Sequence, residues 1–229
     1  MKRRKIGVLY SGGLDSAALV GRLIKRGYDV WPVYVRCGLP WEKVELFWAK
    51  KYLASLRSPR LKPLLTAHVS LEGAYAHNWS QTGSTPDADS GDAEVFLPAR
   101  NLLLNIKALL ALSGKNVWHL AIATLRGNPF PDATENFFKT FEKILSQSFR
   151  RRIRISAPFR KSTKRQILRG GKDLPLHLSF SCINPQGNRH CGHCNKCAER
   201  QKGFREAGLA DKTRYASGAP KVYNRLTIS

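Results

Sequence analysis

The chain opens with a short apolar run, residues 5–10, which breaks at a Ser-Gly-Gly turn and gives way to Ala17, Ala18, Leu19, Val20, Leu23 and Ile24 on helical spacing. A run of this length bounded by turn residues predicts a strand, and recurrence every three to four positions predicts a helix. Residues 28–35, rich in Val and aromatics, predict a second strand. Residues 41–56, with apolar positions 44, 47, 48, 52 and 53, predict a helix, and 64–69 a third strand. Further on, 99–112 reads as a helix ended by Gly114, 117–123 as a strand, 134–149 as an amphipathic helix and 153–156 as a short strand. Residues 73–92 hold Gly, Ser, Thr, Pro, Asn and Asp without periodicity, and loops of this length are commonly lids, so the segment is read as a mobile flap.

Strands that alternate with helices imply an α/β fold, a parallel sheet covered on both faces with ligands at the carboxyl ends of its strands. From residue 162 the pattern changes to a helix, a Cys-rich loop and a basic helix. This suggests residues 1–160 as a nucleotide-binding domain and 161–229 as a C-terminal helical segment packed on it. The tail, 212–229, shows no periodicity.

Composition narrows the classes. With 229 residues, 42% hydrophobic and 24% charged, the chain is an ordinary globular protein with one core. Lys and Arg outnumber Asp and Glu 39 to 16, and the formal net charge of +23 asks for an anionic partner: nucleotide, nucleic acid or acidic protein. The longest apolar stretch, 102–112, is interrupted by Asn105 and Lys107 and falls short of the roughly 20 residues that cross a bilayer. No export signal follows the basic N-terminus, so a cytoplasmic location without membrane contact is expected. A run of arginines, Arg150, Arg151, Arg152 and Arg154, continues through Arg160, Lys161, Lys164, Arg165, Arg169 and Lys172. It reads either as a solvated face or as a surface for RNA or an acidic partner, and no aromatics are interleaved to stack single-stranded bases.

Two clusters carry chemistry. Ser11, Gly12, Gly13, Leu14, Asp15 and Ser16 lie between the first strand and the first helix, where free backbone N–H groups and the helix dipole favour an anion. The glycines allow close approach, and Ser11 and Ser16 can donate to phosphate oxygens. Asp15 either holds Mg²⁺ or caps the helix. The pattern lacks the Gly-Lys of a Walker loop. In the second cluster Cys182, Cys191, Cys194 and Cys197 are separated by eight, two and two residues. Four thiolates complete a tetrahedral shell with no place for a reactive water, which suits structural Zn²⁺; an iron–sulfur cluster is the competing assignment. His190 and His193 are read as solvated loop residues, Phe180 and Phe204 as core, and Cys37 as a small packed hydrophobe.

Residues 11–16 resemble the pyrophosphate loop of the ATP pyrophosphatases, which split ATP between its α and β phosphates while adenylating a substrate oxygen. Together with Pro98-Ala99-Arg100-Asn101, Phe130-Pro131-Asp132, Ser181-Cys182, the Cys191–Cys197 knuckle and Arg200-Gln201-Lys202-Gly203-Phe204, the chain resembles the 7-cyano-7-deazaguanine synthase (QueC) family over residues 5 to about 215. That resemblance implies an adenine-nucleotide alpha-hydrolase-like, Rossmann-type fold. It also implies an ATP-dependent ligase that adenylates 7-carboxy-7-deazaguanine, lets ammonia displace AMP, and repeats adenylation on the amide to give the nitrile, a precursor of queuosine and archaeosine. It implies ATP with Mg²⁺ held by Tyr10, Ser11, Gly12, Gly13, Leu14, Asp15 and Ser16, and zinc held by the four cysteines. Catalytic roles fall to Asp15, Arg100 and Lys164, substrate contacts to Arg100, Asn101 and Asp132, and the family habit is a homodimer. Read as residues alone, Arg100 either holds a phosphate or carboxylate or is an exposed arginine at a helix start, and Lys164 belongs equally well to a solvated basic helix start.

Two segments depart from the family pattern. Where it usually carries Tyr-Gly-Gln-Arg-His, this chain has Arg36-Cys37-Gly38-Leu39-Pro40-Trp41-Glu42, and its Asp-Cys-Arg is here Asp132-Ala133-Thr134. Two further readings therefore accompany the first. In one, the enzyme adenylates a deazapurine acid and conjugates it to a protein amine, or acts on RNA. In the other, a catalytically silent zinc-stabilised module binds nucleic acid.

Overall fold

The computed structural model of the chain describes residues 4–71, 79–82, 85–90, 94 and 96–216. Five parallel strands form one sheet in the order β3-β2-β1-β4-β5: β1 Lys5–Leu9, β2 Asp29–Arg36, β3 Leu65–His68, β4 His119–Ala121 and β5 Arg154–Ser156. In register, Lys5 faces Asp29 and Leu9 faces Val33 across β1 and β2, while Gly7 faces Leu120 across β1 and β4. The helices are α1 Leu14–Lys25, α2 Glu42–Ser55, the short α3 Trp79–Thr82, α4 Arg100–Ser113, α5 Glu135–Ser148, α6 Lys164–Gly170 and α7 Asn195–Ala207. Each predicted strand and helix is present, with ends shifted by a residue or two.

Side chains alternate across a strand, so each face of the sheet has its own core. On one face Ile6, Val8 and Val30 pack with Leu19 and Val20 of α1, Tyr52 of α2, Ile167 and Leu168 of α6 and Phe204 of α7. On the other, Val33, Leu120 and Ile155 pack with Leu109 and Leu112 of α4 and Phe138 and Phe141 of α5. Residues after 161 thus share the core of α1 and α2. A third cluster joins Cys37, Leu39 and Trp41 to Phe180 and the four cysteines of the C-terminal loop. Among the described residues no helix is long and apolar enough to cross a membrane.

The expected flap, 73–92, lies partly outside the described residues, and its described parts are docked. Trp79 stacks on Trp41 with centroids 5.6 Å apart, Asp87 bridges to Cys194, and Asn195 N–H donates to Pro86 O at 3.2 Å. Of the tail, 212–216 also packs on the body: Arg200 Nε donates to Thr213 Oγ1 at 2.7 Å, and Tyr215 pairs with His190.

Candidate active site

The phosphate loop sits at the carboxyl end of β1, the central strand. Gly12 adopts φ +79°, and a Cβ there would approach Ala49 Cβ to 3.1 Å, so both backbone angle and space call for glycine. Gly13 is the N-cap of α1 with no side-chain cap, which leaves the first N–H groups of the helix free for a ligand. The two hydroxyls are held together, Ser11 Oγ 3.2 Å from Ser16 Oγ, and Ser16 donates to Gly13 O at 3.1 Å.

Asp15 does not cap the helix. Its Oδ2 accepts from Lys164 Nζ at 2.6 Å, and Lys164 also reaches Glu199 Oε1 at 2.8 Å, while Lys196 pairs with Glu199 Oε2 at 3.0 Å. The sequence builds this contact by a capping box: Thr163 Oγ1 accepts from Gln166 N–H and Gln166 Oε1 from Thr163 N–H, which starts α6 at Lys164. A Cβ on Gly203 would meet Lys164 Cγ at 2.8 Å, so glycine there lets α7 lie against the lysine stem. Burial pulls Lys164 down, but Asp15 and Glu199 outweigh it and raise the ammonium above its ordinary value. At Asp15 burial wins over Lys164 and the carboxyl is raised. Burial also opposes ionisation of Glu199, yet Lys164 and Lys196 hold it at about 2. Asp15 Oδ1 remains buried without a hydrogen-bond partner among the described residues.

The loop opens onto a cleft of about 850 Å³ whose wall includes Asp15, Lys164, Arg100, Asn101, Tyr34 and Glu45. Ala99, in the left-handed region at φ 59°, turns the chain into α4 without a side-chain cap. Arg100 follows at that end, with its Nε buried and without a hydrogen-bond partner among the described residues. A buried guanidinium donor at the positive end of a helix suits a carboxylate or phosphate. Asp132, expected at the substrate, lies behind Asn101 rather than on the cleft wall: its oxygens accept from Asn101 N–H at 3.2 Å and Asn101 Nδ2 at 2.8 Å. It fixes the asparagine that does line the cleft. The departing segment 36–42 supplies Leu39, Trp41 and Glu42 to the same wall, with Glu42 accepting from Arg36 Nε, Cys37 N–H and Gly38 N–H.

The four cysteine sulfurs lie within 4.8 Å of one another, all buried. Backbone N–H groups of Cys191 and Cys194 point at Cys182 Sγ and Cys191 Sγ, at 3.3 and 3.4 Å. Donation from the Cys182 thiol pulls Cys194 down to about 6 and Cys191 lower still, while Cys182 and Cys197 are pushed up. Negative charge is thus shared through protons that a dication can replace, and this donor set fits a metal. The knuckle grips the phosphate loop through Phe180, whose N–H donates to Gly12 O at 2.8 Å. His190 is not solvated. Its ring packs on Phe180, centroids 4.3 Å apart, and Nε2 accepts from Ser181 N–H at 3.3 Å. Burial and the nearby Arg200 push His190 down to about 2, so it stays neutral, while His193 is exposed. Phe180, Phe204 and Cys37 are buried.

Asp15, Arg100, Asn101, Lys164 and the glycine loop therefore meet in one cleft. Tyr34, Glu45 and Glu199 join them without having been singled out from sequence, and so does Trp41 of the departing segment. A search of family models matches residues 5–208 to "Queuosine biosynthesis protein QueC". Similar curated proteins include a 7-cyano-7-deazaguanine synthase of Leptospira interrogans, 30% identical over 91% of this chain and 89% of that protein. Another, from Erythrobacter litoralis, is 31% identical over 96% of each. 7-Cyano-7-deazaguanine synthase 1 of Desulfitobacterium hafniense is 30% identical over 88% of this chain and 92% of its own length. Because the match runs unbroken from the first strand through the phosphate loop and the α4 start to the cysteine knuckle, the chain belongs to the QueC family.

Proposed function

We propose that this chain is an ATP-dependent ligase that converts 7-carboxy-7-deazaguanine and ammonia to 7-cyano-7-deazaguanine, with release of AMP and pyrophosphate. The observation that carries the reading is the single cleft in which a phosphate loop meets a helix-start arginine whose Nε has no hydrogen-bond partner among the described residues. The N–H groups around Gly13 and the α1 dipole suit the β and γ phosphates, with Lys164 at their side. Asp15 Oδ1 suits the Mg²⁺ that accompanies ATP and neutralises phosphate charge. Arg100 suits the substrate carboxylate, aimed at the α-phosphorus, and Asn101, fixed by Asp132, a polar edge of the heterocycle. Zn²⁺ in the four thiolates would hold the C-terminal loop in shape and take no part in the chemistry. A cytoplasmic homodimer accords with the family.

The segment 36–42 on the cleft wall favours a second reading, in which the adenylated acid is passed to a protein amine or RNA. One incubation separates the two. Purified protein with ATP, Mg²⁺, ammonia and 7-carboxy-7-deazaguanine is expected to yield AMP and a product of nitrile mass. AMP release without free nitrile, together with a protein- or RNA-bound adduct, would support the second. No AMP with either acceptor would overturn both.

A further inference from the structure

We infer that Glu45, oriented by Tyr34, is the proton acceptor for the steps in which nitrogen enters the substrate and later becomes the nitrile. The inference rests on the ligase reading above. Glu45 stands in the first turn of α2, and its Cγ lies 3.5 Å from where a Cβ on Gly12 would be, so the carboxylate borders the phosphate loop. Tyr34, buried on β2, donates its hydroxyl to Glu45 Oε2 at 2.5 Å. Oε1, on a side chain that lines the cleft, has no hydrogen-bond partner among the described residues.

The groups around Glu45 set its proton affinity. Burial raises it to about 7, opposed by the Tyr34 hydrogen bond and by Arg100 of α4 and reinforced by Glu42 on its own helix. Tyr10, just beyond β1, also lies within electrostatic reach, and it stays neutral because burial raises it strongly. Burial and Glu45 likewise raise Tyr34, which keeps its proton and remains a donor. A base that ionises near working pH is matched to proton abstraction.

The chemistry needs such a group. When ammonia attacks the acyl-adenylate, a C–N bond forms, the C–O bond to AMP breaks, and the nitrogen must lose one proton to become the amide. Adenylation of the amide oxygen removes a second proton from nitrogen. Elimination breaks the new C–O bond to AMP and removes the third, leaving C≡N. The other carboxylates on the cleft wall are engaged with cations: Asp15 and Glu199 with Lys164, Glu42 with Arg36, and Glu206 with Lys202. Glu45 differs from them in having a neutral hydroxyl as its partner, which leaves its second oxygen open to an incoming proton.

The test is Glu45→Gln in the full chain with its metal, assayed in two halves. Acid-dependent ATP–pyrophosphate exchange is expected to persist, because adenylation of a carboxylate releases no proton from nitrogen. Ammonia-dependent amide and nitrile formation should fall by about 100-fold, the usual weight of a general base. At fixed free ammonia the wild-type rate should rise with pH through about 7 as Glu45 ionises, and the variant should lose that limb. Glu45→Asp should recover part of the rate. Equal loss of exchange and amide formation would show a merely structural role and overturn the assignment, as would unchanged amide formation. Absence of AMP from the wild type would instead bring down the ligase reading, and this inference with it.

Discussion

Lys164 holds two carboxylates with one ammonium, and the consequences of removing it separate stability from chemistry. Lys164→Met leaves Asp15 and Glu199 facing each other without that cation, which for a partly buried cluster should cost about 2 kcal/mol of stability, read as a lowered midpoint in urea. Adding Glu199→Gln removes one of the two facing carboxylates and should recover part of that loss, since Asp15 stays without its cation. AMP formation should stay about 100-fold down in both variants if Lys164 stabilises the leaving pyrophosphate, and recovery of activity in the double variant would refute that role. Sequence named Asp15 and Lys164 separately but not their contact, because 149 positions separate them and only the folded sheet brings α1 and α6 together. Glu199 and Glu45 were illegible for a simpler reason. A glutamate near a helix start ordinarily looks like solvated surface, and only the neighbours supplied by other elements make it a site.

At the level of elements, the cysteine knuckle and the phosphate loop form one unit, joined by the Phe180 N–H to Gly12 O bond and by the packing of His190 on Phe180. Chelating the metal should therefore be felt at the loop. Loss of one such bond is worth about 1 kcal/mol, so the affinity for ATP should weaken by about fivefold, and the Phe180 amide should lose protection from hydrogen exchange. Unchanged ATP affinity after complete metal removal would show that the two elements are independent. Four clustered cysteines announced this knuckle in the sequence, and the alternation of strands and helices announced the sheet. The attachment of the one to the other was hidden, since backbone bonds such as Phe180 to Gly12 leave no residue signature. The loop 73–92 was misleading where it is described: absence of periodicity was read as mobility, whereas Trp79 and Asp87 are held by Trp41 and Cys194.

For the molecule as a whole, the charge of +23 is larger than a nucleotide cleft accounts for, and part of it lies away from the cleft. Arg150, Arg151, Arg152 and Arg154 lead into and along β5, which is an edge strand, and all four are exposed. None of them lines the cleft or pairs with a carboxylate among the described residues. Cations left unpaired at a sheet edge discourage edge-to-edge association, and they also create a field that gathers polyanions. The two roles differ in what they predict. If the edge only blocks aggregation, replacing the four arginines by serine should lower solubility and leave retention on a polyphosphate-bearing matrix unchanged. If it binds a nucleic-acid backbone, the variant should elute at lower salt, and the slope of log K against log salt should fall by about 0.9 for each phosphate that is no longer neutralised. AMP formation should be the same in variant and wild type under either role, because these side chains lie outside the cleft; a change there would mean that the edge reaches the site.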